Sequence, residues 1–325
     1  MSTLYITTQG SNVQRRSGQI IIGKGKDILQ NVPETHVKQM ILVGNINLST
    51  PTISFCLEKD IEVIYLSQGG KFKGRLVGNG RKCAEIRVRQ YDLARDEIFR
   101  LRQIKAIVAG KIQNQIDIAI RQKETSSKEM LTLKKMLNKV ATAANAESLL
   151  GIEGAASATY FAMFRRWIPL PFKFEKRSSN PPKNEVNALM SLSYTLIYNR
   201  LESLLNLAGL DAYQGFFHAP KDGHASLASD MTEEFRSVFC DALVLKLIRR
   251  KQLNLNHFEK ADGKILLSKE GSKIFFGEFE AKMSSQRQSE TGVSVSFGEI
   301  MKRQVYHLAK VIKGEEKVYK PFRTK

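Results

Sequence analysis

Cysteine is scarce. Cys56, Cys83 and Cys240 lie far apart and form neither a CxxC pair nor an even set; this excludes a disulfide framework and a cysteine zinc finger and fits a reducing compartment. Long apolar runs are absent, because the stretch at 242–248 is far shorter than the roughly 18 residues a membrane span needs. The opening MSTLYITTQG carries no basic-then-apolar export signal, and no lipidation motif or basic amphipathic anchor stands out. A cytoplasmic protein with no membrane partner is therefore expected. Repeats at solenoid periods are lacking as well. Acid is short relative to base: 32 Asp and Glu against 51 Lys and Arg leave a net charge of +19 on 325 residues. About half that charge would keep a chain of this size soluble, and the excess draws a polyanion before any base is read. Nucleic acid is the leading partner class.

With 42% hydrophobic residues the chain has the material for two globular domains. Up to about residue 80 it alternates short apolar runs, at 3–8, 19–22, 37–43, 61–66 and 72–77, with Gly, Asn, Ser and Gln turn signals. One helix interrupts them: Ser49 or Thr50 can cap it, Pro51 suits its first turn, and Ile53, Leu57 and Ile61 form a stripe. Gly69 and Gly70 mark a hairpin turn. From Arg81 onward apolar residues recur every three or four positions, as in Ile98, Leu101, Ile104, Ile107, Val108 and Ile112. Further helices are expected at 128–145, 146–167, 185–207, 226–251 and 297–312. The fold class is α+β, a small β-sandwich-like domain at 1–80 followed by a larger all-α domain at 81–325. Four prolines keep 169–183 from being helical throughout and make it an exposed loop bearing Lys173, Lys176, Arg177 and Lys183.

Three groups of residues can do chemistry. Glu153 lies in AESLLGIEGAASATYF, where burial would cost several kcal/mol unless the carboxylate is paired, hydrogen-bonded or metal-bound. Gly154, Ala155 and Ala156 would let another backbone come close to that face. An exposed glutamate on a polar stripe is the commoner fate of such a residue. His218 follows DAYQGFF and competes with His224 as ligand or proton carrier; spacing does not choose between them. Asp230, Glu233 and Glu234 sit at i, i+3 and i+4 near a helix start, roughly on one face. Acids favour helix N-termini anyway, yet three crowded carboxylates repel, and a divalent cation relieves that. Carboxylates with one imidazole suit Mg2+ or Mn2+, the imidazole tilting toward manganese. A metal beside a polyanion-binding surface implies phosphodiester chemistry.

The segments VKQMILVGNINLSTPTISFCLEKDIEVIYLSQGGKFKGRL, KIQNQ, LLGIEGAASATYF, RSSNPPKNEVNALMSLSYTLIYN, GFFH and SLASDMTEEFR together resemble the CRISPR-associated integrase family of spacer acquisition, the first-numbered Cas proteins, over nearly the whole chain. The resemblance implies that Glu153, His218 and Glu233 are the catalytic residues and metal ligands, with Asp230 as supporting acid. It favours His218 over His224. Arg236 matches the closing arginine of the last motif, whereas Ser237 stands where a proline commonly follows, a departure expected to alter the helix locally. Asn187 matches a motif position and is expected either to orient a ligand or phosphate or to cap and pack its helix.

The implied activity joins short DNA fragments to a repeat array by attack of a 3′-hydroxyl on a phosphodiester, with cleavage of branched or single-stranded DNA when water replaces that hydroxyl. The implied partners are DNA, a second copy paired through the β domain, and a small ferredoxin-like companion, the second-numbered Cas protein. Arg165, Arg166, Lys173, Arg177, Lys183, Arg249, Arg250 and Lys251 are expected along the DNA track because they lie near the site in sequence. The alternatives are a catalytically silent DNA-binding scaffold, which the intact acid, histidine, acid set opposes, and a structure-specific repair nuclease.

Overall fold

The computed structural model describes residues 2–76, 78, 83–179, 181–261, 264–288 and 294–324. The N-terminal part contains β1 (Ser2–Ile6), β2 (Ser11–Arg16), β3 (Gln19–Lys24), β4 (Asp27–Pro33), β5 (Val37–Val43), β6 (Ile46–Leu48), α1 (Thr50–Glu58), β7 (Glu62–Leu66) and β8 (Phe72–Leu76). Parallel β1, β5 and β7 and antiparallel β8 form one sheet in the order β1-β5-β7-β8; the other runs β4-β3-β2-β6. Side chains on a strand alternate between faces, and the first sheet uses both. Met40, Leu42 and Val63 face Val13, Ile20 and Ile22 of the second sheet, making the sandwich core. Ile41, Val43, Ile64 and Leu66 belong instead to the large core of the helical part. Ser49 caps α1 by accepting from the Thr52 amide, with Pro51 in the first turn, and the Gly69–Gly70 turn joins β7 to β8. The boundary expected at residue 80 lies outside the described residues.

The two parts are also tied by charge. On β8, Arg75 reaches Glu62 at 3.1 Å and ion-pairs with Glu202, and its guanidinium donates to Asn199 Oδ1 at 3.1 Å. All three charged side chains are at most 12% exposed. Removing the cation from such a buried pair leaves two uncompensated carboxylates, at a cost of about 3–5 kcal/mol. Arg75→Ala is therefore expected to lower the urea midpoint sharply; a loss below ~1 kcal/mol, the range of surface ion pairs, would contradict it.

The helical part consists of α2 (Ala84–Arg95), α3 (Glu97–Arg121), α4 (Lys128–Thr142), α5 (Ala146–Trp167), α6 (Glu185–Leu207), α7 (Ser226–Phe235), α8 (Ala242–Arg249), then β9 (Phe258–Ala261), β10 (Lys264–Leu267), α9 (Lys269–Ser284), β11 (Gln286–Gln288), β12 (Ser294–Ser296) and α10 (Phe297–Lys313). β9 with β10 and β11 with β12 are small antiparallel strand pairs in a region expected to be wholly helical. Helix α3 packs against α4, α5 and α7 and is the central strut. No helix among the described residues is long and apolar enough to cross a membrane.

The helix expected at 226–251 is broken into α7 and α8 by a π-helical turn at Arg236–Asp241, beginning beside Ser237. Lys282 of α9 donates to the Phe239 carbonyl at 2.7 Å. The turn buries Asp241, whose Oδ1 accepts from the Tyr194 hydroxyl at 2.6 Å. Burial pushes its carboxyl up from the ordinary 3.8 to about 6, the Tyr194 bond offsetting only part of that. A raised folded-state value makes the stabilising contribution complete below about pH 4 and lost as pH rises through about 6. Asp241→Asn should accordingly raise the melting temperature at pH 7.5 and give no gain at pH 4. Equal shifts at both pH values would contradict this.

Candidate active site

Three elements converge on one charged cluster. Helix α5 is capped by Asn145, whose side chain accepts from the Ser148 amide at 2.9 Å, and presents Glu153 two turns in. Helix α7 presents Glu233. Between them, α3 presents Lys111, a residue only 6% exposed. The Lys111 ammonium ion-pairs with Glu153 Oε1 and lies 2.6 Å from Glu233 Oε2. Glu153 Oε1 also accepts from the Ser157 hydroxyl at 2.8 Å, one helical turn on. Arg236 approaches the other oxygen of Glu233 at 3.1 Å.

His218 enters from the loop before α7, with Nε2 at 4.0 Å from Glu233 Oε1. Its orientation is set by Asp230, which is buried. Asp230 Oδ2 accepts the amides of Phe216 at 2.7 Å and Phe217 at 3.0 Å; Oδ1 accepts the amide of His218 at 2.9 Å and faces its Nδ1 at 2.8 Å. A carboxylate at Nδ1 holds the proton there and turns the Nε2 lone pair toward Glu233. The turn is tight enough to demand glycine at 215, where a Cβ would meet the His218 carbonyl at 2.8 Å and Asp230 Oδ2 at 3.0 Å.

Burial alone would raise the Glu233 carboxyl, but Arg236, then Lys111 and His218, outweigh it and hold the group down at about 2. Burial likewise works against a proton on His218, and the hydrogen bond and charge of Asp230, with Glu233, more than reverse it, so that the imidazole titrates above its ordinary value.

Glu234 departs from the expected three-carboxylate crowd. Neighbours on a helix point about 100° apart, so while Asp230 and Glu233 face His218, Glu234 turns to the opposite side. There it accepts from the Tyr319 hydroxyl at 2.5 Å, from Gln304 at 3.0 Å and from the Phe322 amide. His224 is also elsewhere, hydrogen-bonded to Ser229 at 2.9 Å and stacked on Tyr198. Asn187 is fully buried and pins the basic loop to α6, accepting from Ser178 N at 2.9 Å and Arg177 at 3.1 Å and donating to the Lys176 carbonyl at 3.0 Å. Of the small residues beside Glu153, Ala156 is buried in the core, whereas among the described residues a Cβ at Gly154 would meet nothing within 4 Å, and Ala155 is exposed. That face is open.

Among the basic residues, Arg165, Arg166, Lys173, Lys183, Arg249, Arg250 and Lys251 are exposed. Arg166 pairs with Glu124 at 3.0 Å and Glu129 at 2.7 Å, Arg177 is partly buried against Asn187, Ser191 and Tyr194, and Arg249 donates to the Trp167 carbonyl at 3.0 Å and to Gln122. Sequence reasoning assigned no role to Lys111. The signal was there: a lysine on the apolar stripe Ile104, Ile107, Val108 and Ile112, where one is not expected without a partner.

The family model for the CRISPR associated protein Cas1 matches residues 4–281, a span that takes in Lys111, Glu153, His218, Asp230 and Glu233. The chain belongs to the Cas1 family. A CRISPR-associated endonuclease Cas1 of Thermus thermophilus is 30% identical over 99% of this chain and 97% of its own length; one of Thermodesulfovibrio yellowstonii is 32% identical over 88% and 93%. Among solved structures, a Cas1 protein from Thermotoga maritima superposes with a TM-score of 0.85 at 24% identity, covering 99% of this chain and all of that one. A casposase bound to its integration product gives 0.88 at 20% identity over 98% and 93%. These two likenesses are of fold, and they establish the Cas1 arrangement of a β sandwich ahead of a helical body.

Among the described residues no three His, Cys, Asp or Glu side chains lie close enough together, as they stand, to hold a metal ion. What the Cas1 fold assembles here is two carboxylates held by an ammonium, with an imidazole nitrogen aimed at one of them. The donor set suits a divalent ion: anionic oxygens, one neutral nitrogen, and a cation of this chain standing between the oxygens.

Proposed function

We propose that this Cas1-family protein is a metal-dependent DNA integrase and endonuclease in which Glu153, His218 and Glu233 hold Mg2+ or Mn2+. The observation that carries the reading is the Lys111 ammonium between Glu153 and Glu233, with His218 Nε2 4.0 Å from Glu233: carboxylates from two helices and an oriented imidazole share a place for positive charge. When bound, a divalent ion there supplies Lewis acidity to a phosphoryl oxygen and lowers the pKa of an attacking hydroxyl. The chain's own residues do the rest. Asp230 keeps the proton of His218 on Nδ1, Arg236 keeps Glu233 ionised, and the open surface at Gly154 and Ala155 leaves room for a nucleic-acid strand. A 3′-hydroxyl as nucleophile gives strand joining by transesterification; water in its place gives cleavage.

The supporting role assigned to Asp230 rests on the four N–H groups it gathers around His218, and that of Asn187 on its hold on the loop bearing Lys176 and Arg177. We assign residues 1–80 to a dimerising β domain and 81–325 to a catalytic helical domain of a cytoplasmic protein. Support for pairing through the β domain comes from the edge strand β4, where Ile28 is 64% and Leu29 48% exposed. A solved Cas6-RT-Cas1–Cas2 complex shares the fold at a TM-score of 0.87 and 22% identity, this chain covering 36% of that one; we take a small Cas2-type companion and DNA as the partners.

Arg165, Lys173, Lys183, Arg250 and Lys251 carry the DNA track, with Arg166, Arg177 and Arg249 holding its scaffold. Arg250→Glu with Lys251→Glu should flatten the plot of log affinity against log salt by about 0.9 for each phosphate no longer neutralised; an unchanged slope would remove these two from the track. The function itself is tested by incubating a labelled donor duplex, a repeat-bearing supercoiled plasmid and the companion subunit with Mn2+, Mg2+ or EDTA. Joining that needs metal and is lost in Glu153→Ala, with DNA binding kept, is expected. Joining indifferent to Glu153, or none with any metal, would leave a DNA-binding scaffold.

A further inference from the structure

Lys111 is a lysine with two acids and no water-exposed alternative. Its stem runs along the buried stripe of α3 and delivers the charge between α5 and α7. Among the described residues Glu233 Oε2 has no hydrogen-bond donor other than the Lys111 ammonium, and its side chain is only 3% exposed. The Lys111 ammonium lies 2.6 Å from it. Glu153 and Glu233 come from different helices, and among the described residues Lys111 is the cation that both of them touch.

We propose that Lys111 is a built-in counter-cation of the ligand-free site, one that a divalent ion must displace to bind. The inference rests on reading Glu153 and Glu233 as ligands. Two carboxylates brought together without a cation repel and lose hydration at once. Lys111 removes that penalty while the site is empty and so lets the helical body fold before metal arrives. The same contact opposes metal: the oxygens that would ligate the ion are already engaged, and a second positive charge a few ångströms away disfavours its entry. The protein therefore trades metal affinity for stability of the metal-free state.

The test uses the full-length protein and Mn2+ alone at pH 8. Free Mn2+ is followed by electron paramagnetic resonance, and melting is measured in EDTA and in saturating Mn2+. Lys111→Met should bind Mn2+ about tenfold or more tightly than the wild type. It should melt lower than the wild type in EDTA and show a larger rise on adding metal. Lys111→Arg, which keeps the charge, should gain no affinity. A Lys111→Met protein that binds no more tightly than the wild type overturns the proposal, provided that wild-type binding itself depends on Glu153. If wild-type binding ignores Glu153, the ligand reading fails first. Should Lys111→Met fail to fold in EDTA, recovery by Mn2+ supports displacement. The wild type gives an answer that needs no variant: reductive methylation read by peptide mass spectrometry should modify Lys111 several-fold faster in Mn2+ than in EDTA. Equal protection in both means that the ammonium is not displaced, and the proposal falls.

Discussion

Glu233→Gln is expected to reduce metal-dependent joining about a thousandfold, equivalent to about 4 kcal/mol of transition-state stabilisation, while DNA affinity and its salt dependence stay unchanged. The substitution is close to isosteric, so the packing of α7 is kept and only the charge is lost. That charge has three partners: Arg236 at 3.1 Å, Lys111 at 2.6 Å and His218 Nε2 at 4.0 Å. A neutral amide would present an NH2 to a set of cations that now repel one another, and it would ligate a divalent ion weakly. Metal affinity should fall together with rate, so raising Mn2+ should recover part of the activity. The metal-free protein should also melt at a lower temperature, because Lys111 and Arg236 lose their shared anion. Single-turnover joining across a Mn2+ titration, with DNA binding measured at two salt concentrations, separates these effects. Retention of more than a tenth of the wild-type rate would remove Glu233 from the ligand set.

The parts of the fold that could be read from sequence are those where local signals agree. Helices α5 and α6 run over 146–167 and 185–207 as expected, each with an asparagine cap and a sustained apolar stripe. Strand β5 keeps its expected limits because VKQMILV is nearly all apolar and buried on both faces of its sheet. Strands β2 and β4 went unread for the opposite reason: SNVQRR offers one large apolar residue, and the first five residues of β4 are exposed, so neither carries the period-two signature. Pairing with β3 makes them strands, and that is a tertiary fact. Helix α9 was missed because Gly271 and Gly277 interrupt its aromatic stripe. At the site, motif likeness marked Glu153, His218 and Glu233, and spacing alone placed Glu234 with them. Its removal to the Tyr319 side depends on where the segment at 319–324 packs. Lys111 was unassigned because a basic residue on a buried stripe makes sense only once the acids on two other helices are seen to surround it.

Asp230→Asn should lower joining by about ten- to a hundredfold, the usual cost of losing the group that orients a metal-binding histidine, and the reason lies in counting donors. Four N–H groups point at the two oxygens of Asp230: the amides of Phe216, Phe217 and His218, and Nδ1–H of the imidazole. An asparagine has one oxygen and one NH2. If its oxygen faces Phe216 and Phe217, its NH2 faces His218, and the imidazole must then accept at Nδ1 and carry its proton on Nε2. In that tautomer the nitrogen aimed at Glu233 has no lone pair to offer an ion. If the amide is flipped, the NH2 meets the two backbone amides, and the turn ending in His218 loses its anchor. Either way the ligand set drops to two carboxylates without any ligand having been mutated. Asp230→Ala removes both acceptor oxygens, leaves all four donors without their partner, and should add a stability cost of about 2–4 kcal/mol, which Asp230→Asn largely avoids. Comparing the two variants by melting temperature, Mn2+ affinity and joining rate isolates orientation from folding. An Asp230→Asn protein with wild-type metal affinity and rate would show that His218 needs no fixed tautomer, and would leave Asp230 as an anchor of the turn alone.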